Sequence, residues 1–419
     1  MVWKGRAPPV EAATMTSSTF LTRVALKNFK SLAACDVRLG PLTFLVGPNG
    51  AGKSNFLDAL RFVTDSLRTS LEHALRERGG INEVRRRSGG HPNHFGLRLW
   101  FALASGETGH YAFRIGARPQ GGFEVQDEEC AIGTAEALGE VQYFRIESGK
   151  VVENTQPGPA AALDRLYLVN ASGLSAFRPV YEALSRMGFY SLNPDRIRDL
   201  QSPDAGELLA RDGSNITSVL AQLKKNNRNR KTRIEEYLSK VVPGVHGVDV
   251  KVIGPKETLE FRQQVAGSKN PWHFLAANMS DGTVRALGIL VALFQSGNGA
   301  GPRVPLVGIE EPEIALHPAA AGLLRDGLRE ASRSTQVIVT SHSGDLLDDE
   351  QLDADSILAV YAEGGSTHIA PLDRAGRAAL LNRLYTPGEL LRMDQLRPDP
   401  DSAPDKVDRQ LRLFDRERT

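Results

Sequence analysis

The segment that most constrains the fold of this chain is GPNGAGKSN, which runs from Gly47 to Asn55. It matches the pattern G-x-x-x-x-G-K-[ST], follows the apolar run at 42–46 and opens a helix-like pattern at Lys53. Between a strand and a helix, such glycines let backbone N–H groups turn inward around phosphate groups. The segment therefore predicts a P-loop in an α/β fold, and a glycine-rich turn that matches by chance is the weaker alternative.

Each part of this loop has a predicted contact with a nucleotide. The amino terminus of the following helix carries a partial positive charge that favours phosphate. The Lys53 ammonium is predicted to bind the β- and γ-phosphates, and the Ser54 hydroxyl to bind Mg²⁺. The predicted nucleotide-binding residues of the loop are Asn49, Gly50, Ala51, Gly52, Lys53, Ser54 and Asn55. The motif alone does not separate kinases, GTPases and ATPases.

Two adjacent carboxylates follow a second apolar run, at 306–309 in the segment PLVGIEEPEIALHP. Carboxylates at the end of a buried strand are costly unless a cation or hydrogen-bond donors meet them, and a Mg²⁺–nucleotide complex would meet that need. We therefore predict that Glu310 binds Mg²⁺ and that Glu311 polarises the water that attacks the γ-phosphate. An acidic turn on the surface is the alternative.

Two further element ends carry polar residues. His342 follows the predicted strand 337–339, where it is expected to contact the γ-phosphate or the attacking water. Ser280 and Gly282 lie in MSDGT, at the predicted start of a helix. This segment either simply caps the helix or forms a second site for an anion. Taken alone, an ordinary hydrogen-bonded histidine and a plain N-cap are the simpler interpretations.

The order of these motifs resembles that of the ABC-type ATPases, and within them the RecF/SMC/OLD-like branch. LKNFKSL (26–32) resembles the N-terminal signature of that branch, MSDGT its ABC signature, and IEEPEIALHP its Walker B motif with the following D-loop. The resemblance implies an ABC-ATPase-like P-loop fold of the α/β class. Such a fold has a mixed or parallel core sheet, an antiparallel β subdomain and, here, a helical insert.

The resemblance also implies how the site is built. ATP would lie between two copies of the chain, and Ser280 and Gly282 of one protomer would cap the γ-phosphate bound to the other. Glu311, His342 and Lys53 would be the catalytic residues, with ATP and Mg²⁺ as cofactors.

The sequence departs from that branch in three respects. No long heptad region is present, so the coiled-coil arms of SMC proteins are not expected. The TOPRIM nuclease domain of OLD-like relatives is not expected either, because Glu363 falls in a predicted hairpin turn and Asp399 and Asp401 follow no apolar strand. The family's Q-loop glutamine is unassigned, and the candidates are Gln120, Gln126 and Gln142.

Strand and helix patterns divide the chain into five predicted segments. A disordered lead-in (1–18) precedes the N-terminal part of the ATPase domain (19–155), which holds the P-loop and the β subdomain. A helical insert (156–246), the C-terminal part of the ATPase domain (247–393) and a polar, frayed tail (394–419) follow.

The net charge of +1 argues against a polycation. Two cysteines are too few for a disulfide scaffold, and the lack of a long apolar run argues against a membrane span. A cytoplasmic protein with reduced thiols is expected. Nucleic acid would have to contact local basic clusters, at 85–87 with His91 and His94, or at 224–233. A solvated helix face is slightly favoured for each cluster.

These observations predict Mg²⁺-dependent ATP hydrolysis. The resemblance implies that the ATPase is an ATP-dependent homodimer and, by family analogy, that it acts in DNA maintenance, repair or anti-phage defence. A separate nuclease or effector chain and the DNA backbone are the expected partners, with no membrane contact. The alternative is a slow-turnover ATP sensor whose dimer gates a partner protein without binding DNA. The ATPase subunit of a transporter is disfavoured by MSDGT and by the β-rich segment 97–146.

Overall fold

The computed structural model describes residues 19–88, 92–134, 141–296 and 303–414. The predicted lead-in (1–18), His91 and residues 415–419 of the tail lie outside the described residues. The described strands are β1 (Leu21–Phe29), β2 (Leu32–Arg38), β3 (Leu42–Val46), β4 (His94–Ala102), β5 (Glu107–Ala117), β6 (Phe123–Thr134), β7 (Gln142–Glu147), β8 (Lys150–Asn154), β9 (Gly188–Tyr190), β10 (Val245–Ile253), β11 (Lys256–Gln263), β12 (Trp272–Leu275), β13 (Leu306–Glu310), β14 (Gln336–Ser341), β15 (Ile357–Glu363) and β16 (Ser366–Pro371). The described α-helices are α1 (Lys53–Arg68), α2 (Leu71–Arg76), α3 (Ile81–Val84), α4 (Tyr167–Ala171), α5 (Arg178–Ser185), α6 (Pro194–Arg198), α7 (Ile216–Asn226), α8 (Arg228–Val241), α9 (Asp281–Phe294), α10 (Ala321–Ala331), α11 (Arg374–Leu381), α12 (Pro387–Arg392) and α13 (Pro404–Gln410).

A six-stranded core sheet has the order β16-β15-β3-β14-β13-β9, and every neighbouring pair in it except β15 and β16 is parallel. Its register places Glu310 opposite Thr340, and Ser341 opposite Val46. Because parallel strands run in the same direction, the ends of β3, β14, β13 and β9 meet at one edge of the sheet. The P-loop and the predicted Glu310–Glu311 and His342 motifs therefore leave the sheet side by side.

Helix α1, which begins at the P-loop, is buried between the core sheet and a second sheet. That second sheet is antiparallel and has the order β2-β1-β4-β5-β6-β7-β8. The Phe62 ring centroid in α1 lies 5.4 Å from that of Phe95 in β4, and Phe56 and Leu57 belong to the same core cluster as Ile338 of β14. Apolar burial on both sides of α1 thus fixes the direction in which the P-loop points.

The two sheets are also joined by the amide of Gln336, which is fully buried at the start of β14. Its Oε1 accepts hydrogen bonds from the backbone N–H groups of Phe20 (3.2 Å) and Leu21 (2.8 Å). Its Nε2 donates to the carbonyl oxygens of Leu21 (2.8 Å) and Gly40 (2.9 Å). The side chain thereby satisfies four backbone groups where β1 meets the core sheet.

Helices α6 to α10 and the three-stranded sheet β10-β11-β12 form a second core with the opposite face of the core sheet. The side chains of β14 alternate between the two cores: Ile338 joins the cluster around α1, whereas Val337 and Val339 join the second cluster. A central parallel strand buried on both faces accounts for the unbroken apolar run in the sequence there.

The structure differs from the predicted elements in several places. The single helix expected at 53–76 is α1 and α2, separated by Thr69 and Ser70, because the Ser70 hydroxyl caps a new helix by accepting from the N–H of His73 (3.1 Å). β8 was not predicted. The predicted helical insert (156–246) contains β9, which is too short to show a periodicity and forms because β13 offers it a parallel edge.

The expectation of a frayed tail from about 397 is wrong for the described end of the chain. Leu411, Leu413 and Phe414 are 6%, 1% and 3% exposed and pack with Trp100 on the antiparallel sheet. The carbonyl oxygen of Leu413 also accepts a hydrogen bond from Nη1 of Arg98 (3.1 Å). Three apolar residues in a charged segment carry no periodic signal, and the surface that covers them is evident only in the fold.

Among the described residues, no helix has the length and apolar character to cross a membrane.

Candidate nucleotide-binding site

The P-loop connects β3 to α1, and its shape depends on its glycines. Gly50 and Gly52 have φ angles of 76° and 99°, in the left-handed region that favours glycine. A Cβ atom on Gly47 would lie 2.0 Å from the carbonyl oxygen of Val360, and one on Gly52 would lie 2.0 Å from Oγ1 of Thr367. The β15–β16 hairpin thus packs against the loop too closely for a side chain at Gly47 or Gly52.

The ammonium of Lys53 lies inside this loop. The residue is 4% exposed, and its Nζ donates hydrogen bonds to the carbonyl oxygens of Gly47 (2.8 Å) and Pro48 (3.0 Å). Burial lowers the pKa of Lys53, while the negative charges of Glu311 and Glu313 act to raise it. The lysine and these carboxylates therefore form one electrostatic site.

The remaining predicted residues of the loop differ in their surroundings. Ala51 is buried, whereas three residues are exposed, namely Asn49, Gly50 and Ser54. Asn55 donates from its backbone N–H to the carbonyl oxygen of Gly52 (3.0 Å) and from Nδ2 to Oγ of Ser31 (2.6 Å). Because its side chain faces the β1–β2 turn, Asn55 is better placed to hold the loop than to bind the nucleotide directly.

The two adjacent carboxylates lie at the end of β13. Oε1 of Glu310 is 3.4 Å from Nη2 of Arg211, and both side chains are partly exposed. Glu311 has a φ angle of 43°. This backbone conformation costs a residue other than glycine on the order of 1 kcal/mol or more, and residues strained in this way cluster at functional sites. Its N–H donates to the carbonyl oxygen of Thr340 (3.0 Å), and its own carbonyl oxygen accepts from Nη2 of Arg285 (3.3 Å). These contacts hold Glu311 in its strained conformation.

The structure brings His342 to the predicted base, since Nδ1 of His342 lies 3.3 Å from Oε1 of Glu311. It also adds a third carboxylate, Glu313, to which the sequence analysis gave no role. Oε1 of Glu313 accepts hydrogen bonds from Oγ of Ser341 (2.7 Å) and from the backbone N–H of His342 (3.3 Å). Membership of the segment IEEPE was the only available signal, and nothing in the sequence indicates that Glu313 folds back onto the end of β14.

The predicted signature segment caps a helix and packs on the segment that follows Glu313. Oγ of Ser280 accepts a hydrogen bond from the N–H of Thr283 (3.3 Å), so the plain N-cap interpretation is confirmed, and the anion-binding role stays a prediction. A Cβ atom on Gly282 would lie 2.5 Å from the carbonyl oxygen of Ala315. The amino terminus of α9 therefore packs directly on the backbone of the segment that follows Glu313.

None of the three Q-loop candidates lies at this edge of the core sheet. Gln126 and Gln142 belong to β6 and β7 of the antiparallel sheet, and Gln120 lies in the turn between β5 and β6. The chain that leaves the core sheet after β9 carries Asn193, whose side chain caps α6 by accepting from the N–H of Asp195 (2.9 Å).

Two family models match the chain. One, described as "AAA ATPase domain", covers residues 20–101, and the other, described as "AAA domain, putative AbiEii toxin, Type IV TA system", covers residues 183–349. The first contains the P-loop, and the second contains the signature segment, the paired carboxylates and His342.

Short segments of the chain are similar to three curated proteins. The chain is 32% identical over 132 residues to Structural maintenance of chromosomes protein 1 of Schizosaccharomyces pombe, and the matched segment covers 29% of this chain and 10% of that protein. It is 49% identical over 51 residues to the OLD nuclease of Thermus scotoductus (12% and 10% covered). It is 44% identical over 41 residues to the DNA replication and repair protein RecF of Vibrio vulnificus (10% and 11% covered). The matches thus span about a tenth of the length of these relatives.

The fold is that of an SMC head. The crystal structure of the SmcHead bound to the C-winged helix domain of ScpA superposes with a TM-score of 0.55 at 16% identity, covering 85% of this chain and 99% of that one. A P-loop on this fold, with two carboxylates and a histidine at the neighbouring strand ends, defines an ABC-type P-loop ATPase.

Within that class, the chain is similar to the RecF/SMC/OLD-like ATPases. The family models, the three groups of relatives and the SMC-head fold agree on this assignment. The resemblance and the α/β fold class inferred from the motifs are therefore confirmed.

A chain of polar contacts supports the P-loop from behind. Asn55 donates to Ser31, and Oγ of Ser31 lies 2.7 Å from Oγ1 of Thr367, which donates to the carbonyl oxygen of Ala51 (2.9 Å). Thr367 is 1% exposed and comes from β16, more than three hundred positions from the loop in sequence. A hydroxyl on the C-terminal hairpin thereby holds the backbone of the loop.

We predict that Thr367→Val weakens the binding of Mg-ATP by about 3- to 10-fold. Valine keeps the shape of threonine but removes the hydroxyl that donates to the loop at Ala51, and one such hydrogen bond is worth about 1 kcal/mol, or about fivefold in affinity. Isothermal titration calorimetry measures the effect, and Thr367→Ser, which retains the hydroxyl, should bind close to the wild-type affinity. Equal affinities for the valine and serine variants would show that the hydroxyl does not support the loop.

Proposed function

We propose that this chain hydrolyses ATP with Mg²⁺ as an ATP-sandwiched homodimer, and that it acts with a separate effector chain in DNA maintenance, repair or anti-phage defence in the cytosol. The observation that supports this most strongly is the parallel register of the core sheet. It aligns the P-loop, Glu310 with Glu311, and His342 at the ends of neighbouring strands.

The donor set at this edge fits Mg²⁺. Ser54 and Glu310 provide a hydroxyl and a carboxylate oxygen, and both are accessible. Mg²⁺ prefers oxygen ligands and, when it is bound to a nucleotide, needs only one or two from the protein. Mg²⁺ held there would neutralise charge on the phosphates.

The remaining residues have separate roles in the proposed reaction. The ammonium of Lys53 compensates the charge of the β- and γ-phosphates. Glu311 accepts a proton from the attacking water, and His342, 3.3 Å from Glu311, orients that water or the γ-phosphate.

Two observations support the dimer and the partner. The signature segment Ser280–Gly282 lies at a helix amino terminus, which is suited to bind an anion. The SMC head to which the fold is similar is bound to a domain of ScpA. We extend this arrangement to the present chain as a homodimer whose ATP-bound state recruits an effector.

Glu311→Gln should trap the dimer. Glutamine keeps the size of Glu311 but cannot accept the proton, so hydrolysis should fall by roughly 10²- to 10⁴-fold while Lys53, Ser54 and Glu310 still bind ATP. Size-exclusion chromatography with light scattering should then show a dimer only with Mg-ATP. Glu363→Gln, the same change at an exposed position, serves as the control and should hydrolyse ATP normally.

Ser280→Arg in the Glu311→Gln background tests the sandwich itself. Its bulk and charge would conflict with the partner protomer, so the ATP-dependent dimer should disappear. A dimer that forms without ATP, or that survives Ser280→Arg, would contradict the sandwich, and full hydrolysis by Glu311→Gln would show that another residue is the base.

Most cations of the predicted basic clusters are used inside the fold. In the first cluster, Arg86 donates to Oγ of Ser366 (2.6 Å), Arg85 to a backbone carbonyl oxygen (2.9 Å), and Arg87 pairs with Glu83. These contacts favour a structural role for the cluster at 85–87.

Three arginine and lysine residues of the second cluster are also structural. Lys231 pairs with Glu235 (2.7 Å), Arg233 pairs with Glu330, and Arg230 donates to the carbonyl oxygen at the end of α9 (3.2 Å). Arg230, one of the cations of the 224–233 cluster, is therefore better explained as a link between α8 and α9.

The other cations of that cluster line a groove of about 400 Å³ between α7, α8 and β10. Lys224 pairs with Asp249 (2.8 Å), whereas Lys225 and Arg228 have no carboxylate within ion-pair distance in the described parts of the chain. Two cations beside a groove, without an ion-pair partner in the described residues, favour contact with the phosphate backbone of DNA over a purely solvated face.

The double variant Lys225→Glu/Arg228→Glu should weaken DNA binding and flatten its salt dependence. Each lost phosphate contact removes about 0.9 from the slope of log K against log salt, so two contacts remove about 2. Fluorescence anisotropy with duplex DNA at several salt concentrations measures the slope. Arg374→Glu/Arg383→Glu changes the charge equally at exposed positions and should leave it unaltered.

The same variant separates the two proposed functions. Stimulation of ATP turnover by DNA that is lost in Lys225→Glu/Arg228→Glu supports the DNA-acting ATPase. Equal salt slopes in variant and wild type, with no stimulation, would favour the ATP sensor that gates a protein partner.

A further inference from the structure

Glu313 has no role in the reaction proposed above, yet it lies against two parts of the site. It follows Pro312 at the end of β13, and its side chain is 11% exposed. Its Oε1 accepts hydrogen bonds from Ser341 and from the backbone of His342, and also lies 3.9 Å from Nδ1 of His342. Since Glu311 is 3.3 Å from the same nitrogen, the imidazole has two carboxylates on its Nδ1 side.

The second carboxylate oxygen of Glu313 is buried without a hydrogen-bond partner in the described part of the chain. An unsatisfied buried oxygen costs about 1–3 kcal/mol, and more when it carries charge. The charge of Glu313 acts on the nearby cations Lys53 and Arg285, raising the pKa of each against the effect of burial. Oε2 of Glu313 is therefore compensated by nearby positive charge rather than by a hydrogen bond.

A purely structural role is the competing explanation, because the contact with Ser341 fastens the end of β14 to the segment after β13. Glutamine has the same shape as glutamate, and its carbonyl oxygen can accept both hydrogen bonds that Oε1 accepts. It would serve that role without burying a charge. The property of Glu313 that its hydrogen bonds do not explain is thus the negative charge beside the imidazole.

We propose that Glu313 is a positioning residue of the hydrolytic centre. Together with Glu311 it keeps Nδ1 of His342 turned toward β13, so that Nε2, on the other side of the ring, faces the γ-phosphate or the attacking water. A carboxylate that orients an imidazole through its second nitrogen is a general device in catalysis. The inference rests on the proposed function, because it assigns Glu313 to the same site.

A kinetic cycle tests this role through four proteins: wild type, Glu313→Gln, His342→Ala and the double variant. Glu313→Gln should lower kcat by roughly 10- to 100-fold, the range seen when the residue behind a metal-bound histidine is lost, and leave KM for ATP within about twofold. In the His342→Ala background, Glu313→Gln should have no further effect, because Glu313 acts through that ring. The proposal would be overturned if Glu313→Gln lowered kcat by the same factor with and without His342, or if it raised KM and left kcat unchanged. Glu363→Gln is the control for the chemical change.

A second measurement does not depend on turnover. In spectra of protein labelled with ¹⁵N-histidine, the ring signals of His342, identified by their loss in His342→Ala, should shift in Glu313→Gln and stay in place in Glu363→Gln. Unmoved signals would overturn the positioning role. If wild type shows no turnover, or turnover survives Lys53→Ala, the proposed function and the hydrolytic role of Glu313 fall together, and the ring signals alone then decide whether Glu313 orients His342.

Discussion

The site depends on one buried cation. Three carboxylates, those of Glu310, Glu311 and Glu313, lie at a sheet edge where a nucleotide would bring further negative charge. Lys53 is 4% exposed, and its ammonium is held by two carbonyl oxygens of its own loop. Burial lowers the pKa of Lys53, and the negative charges of Glu311 and Glu313 act against that shift. Without such a cation, carboxylates and phosphates in this setting would repel one another. The fold of the loop around Lys53 is therefore a condition for the rest of the chemistry.

Two features of the fold hold that cation in place. The first is α1, whose apolar side chains pack between the two large sheets and set the direction of the P-loop. The second is the β15–β16 hairpin, which touches the loop so closely that Gly47 and Gly52 leave no room for a Cβ atom. The phosphate-binding loop is thus held by α1, which follows it in the chain, and by the β15–β16 hairpin from the C-terminal part of the chain. The affinity for nucleotide should therefore depend on both.

The parts of the site that the sequence predicted are those with local signals. The P-loop has a fixed spacing, and Glu310, Glu311 and His342 follow short apolar runs that mark buried strands. Thr367 and Glu313 escaped prediction, because a hydroxyl more than three hundred positions away and a glutamate one residue past a proline have no local signature. The same holds for β9, whose three residues form a strand only against β13, and for the tail, whose Phe414 finds its partner only in the folded sheet.

Calorimetric titration of Mg-ATP into wild type and Lys53→Ala tests the central claim most directly. Thermal unfolding of both proteins, followed in parallel, confirms that they are folded, and Lys256→Ala provides the same change at an exposed lysine. The account predicts that wild type and Lys256→Ala bind Mg-ATP equally, and that Lys53→Ala, which leaves the phosphate charge uncompensated, shows no measurable binding. An unchanged affinity in a folded Lys53→Ala protein would contradict the assignment of this loop as the phosphate-binding site.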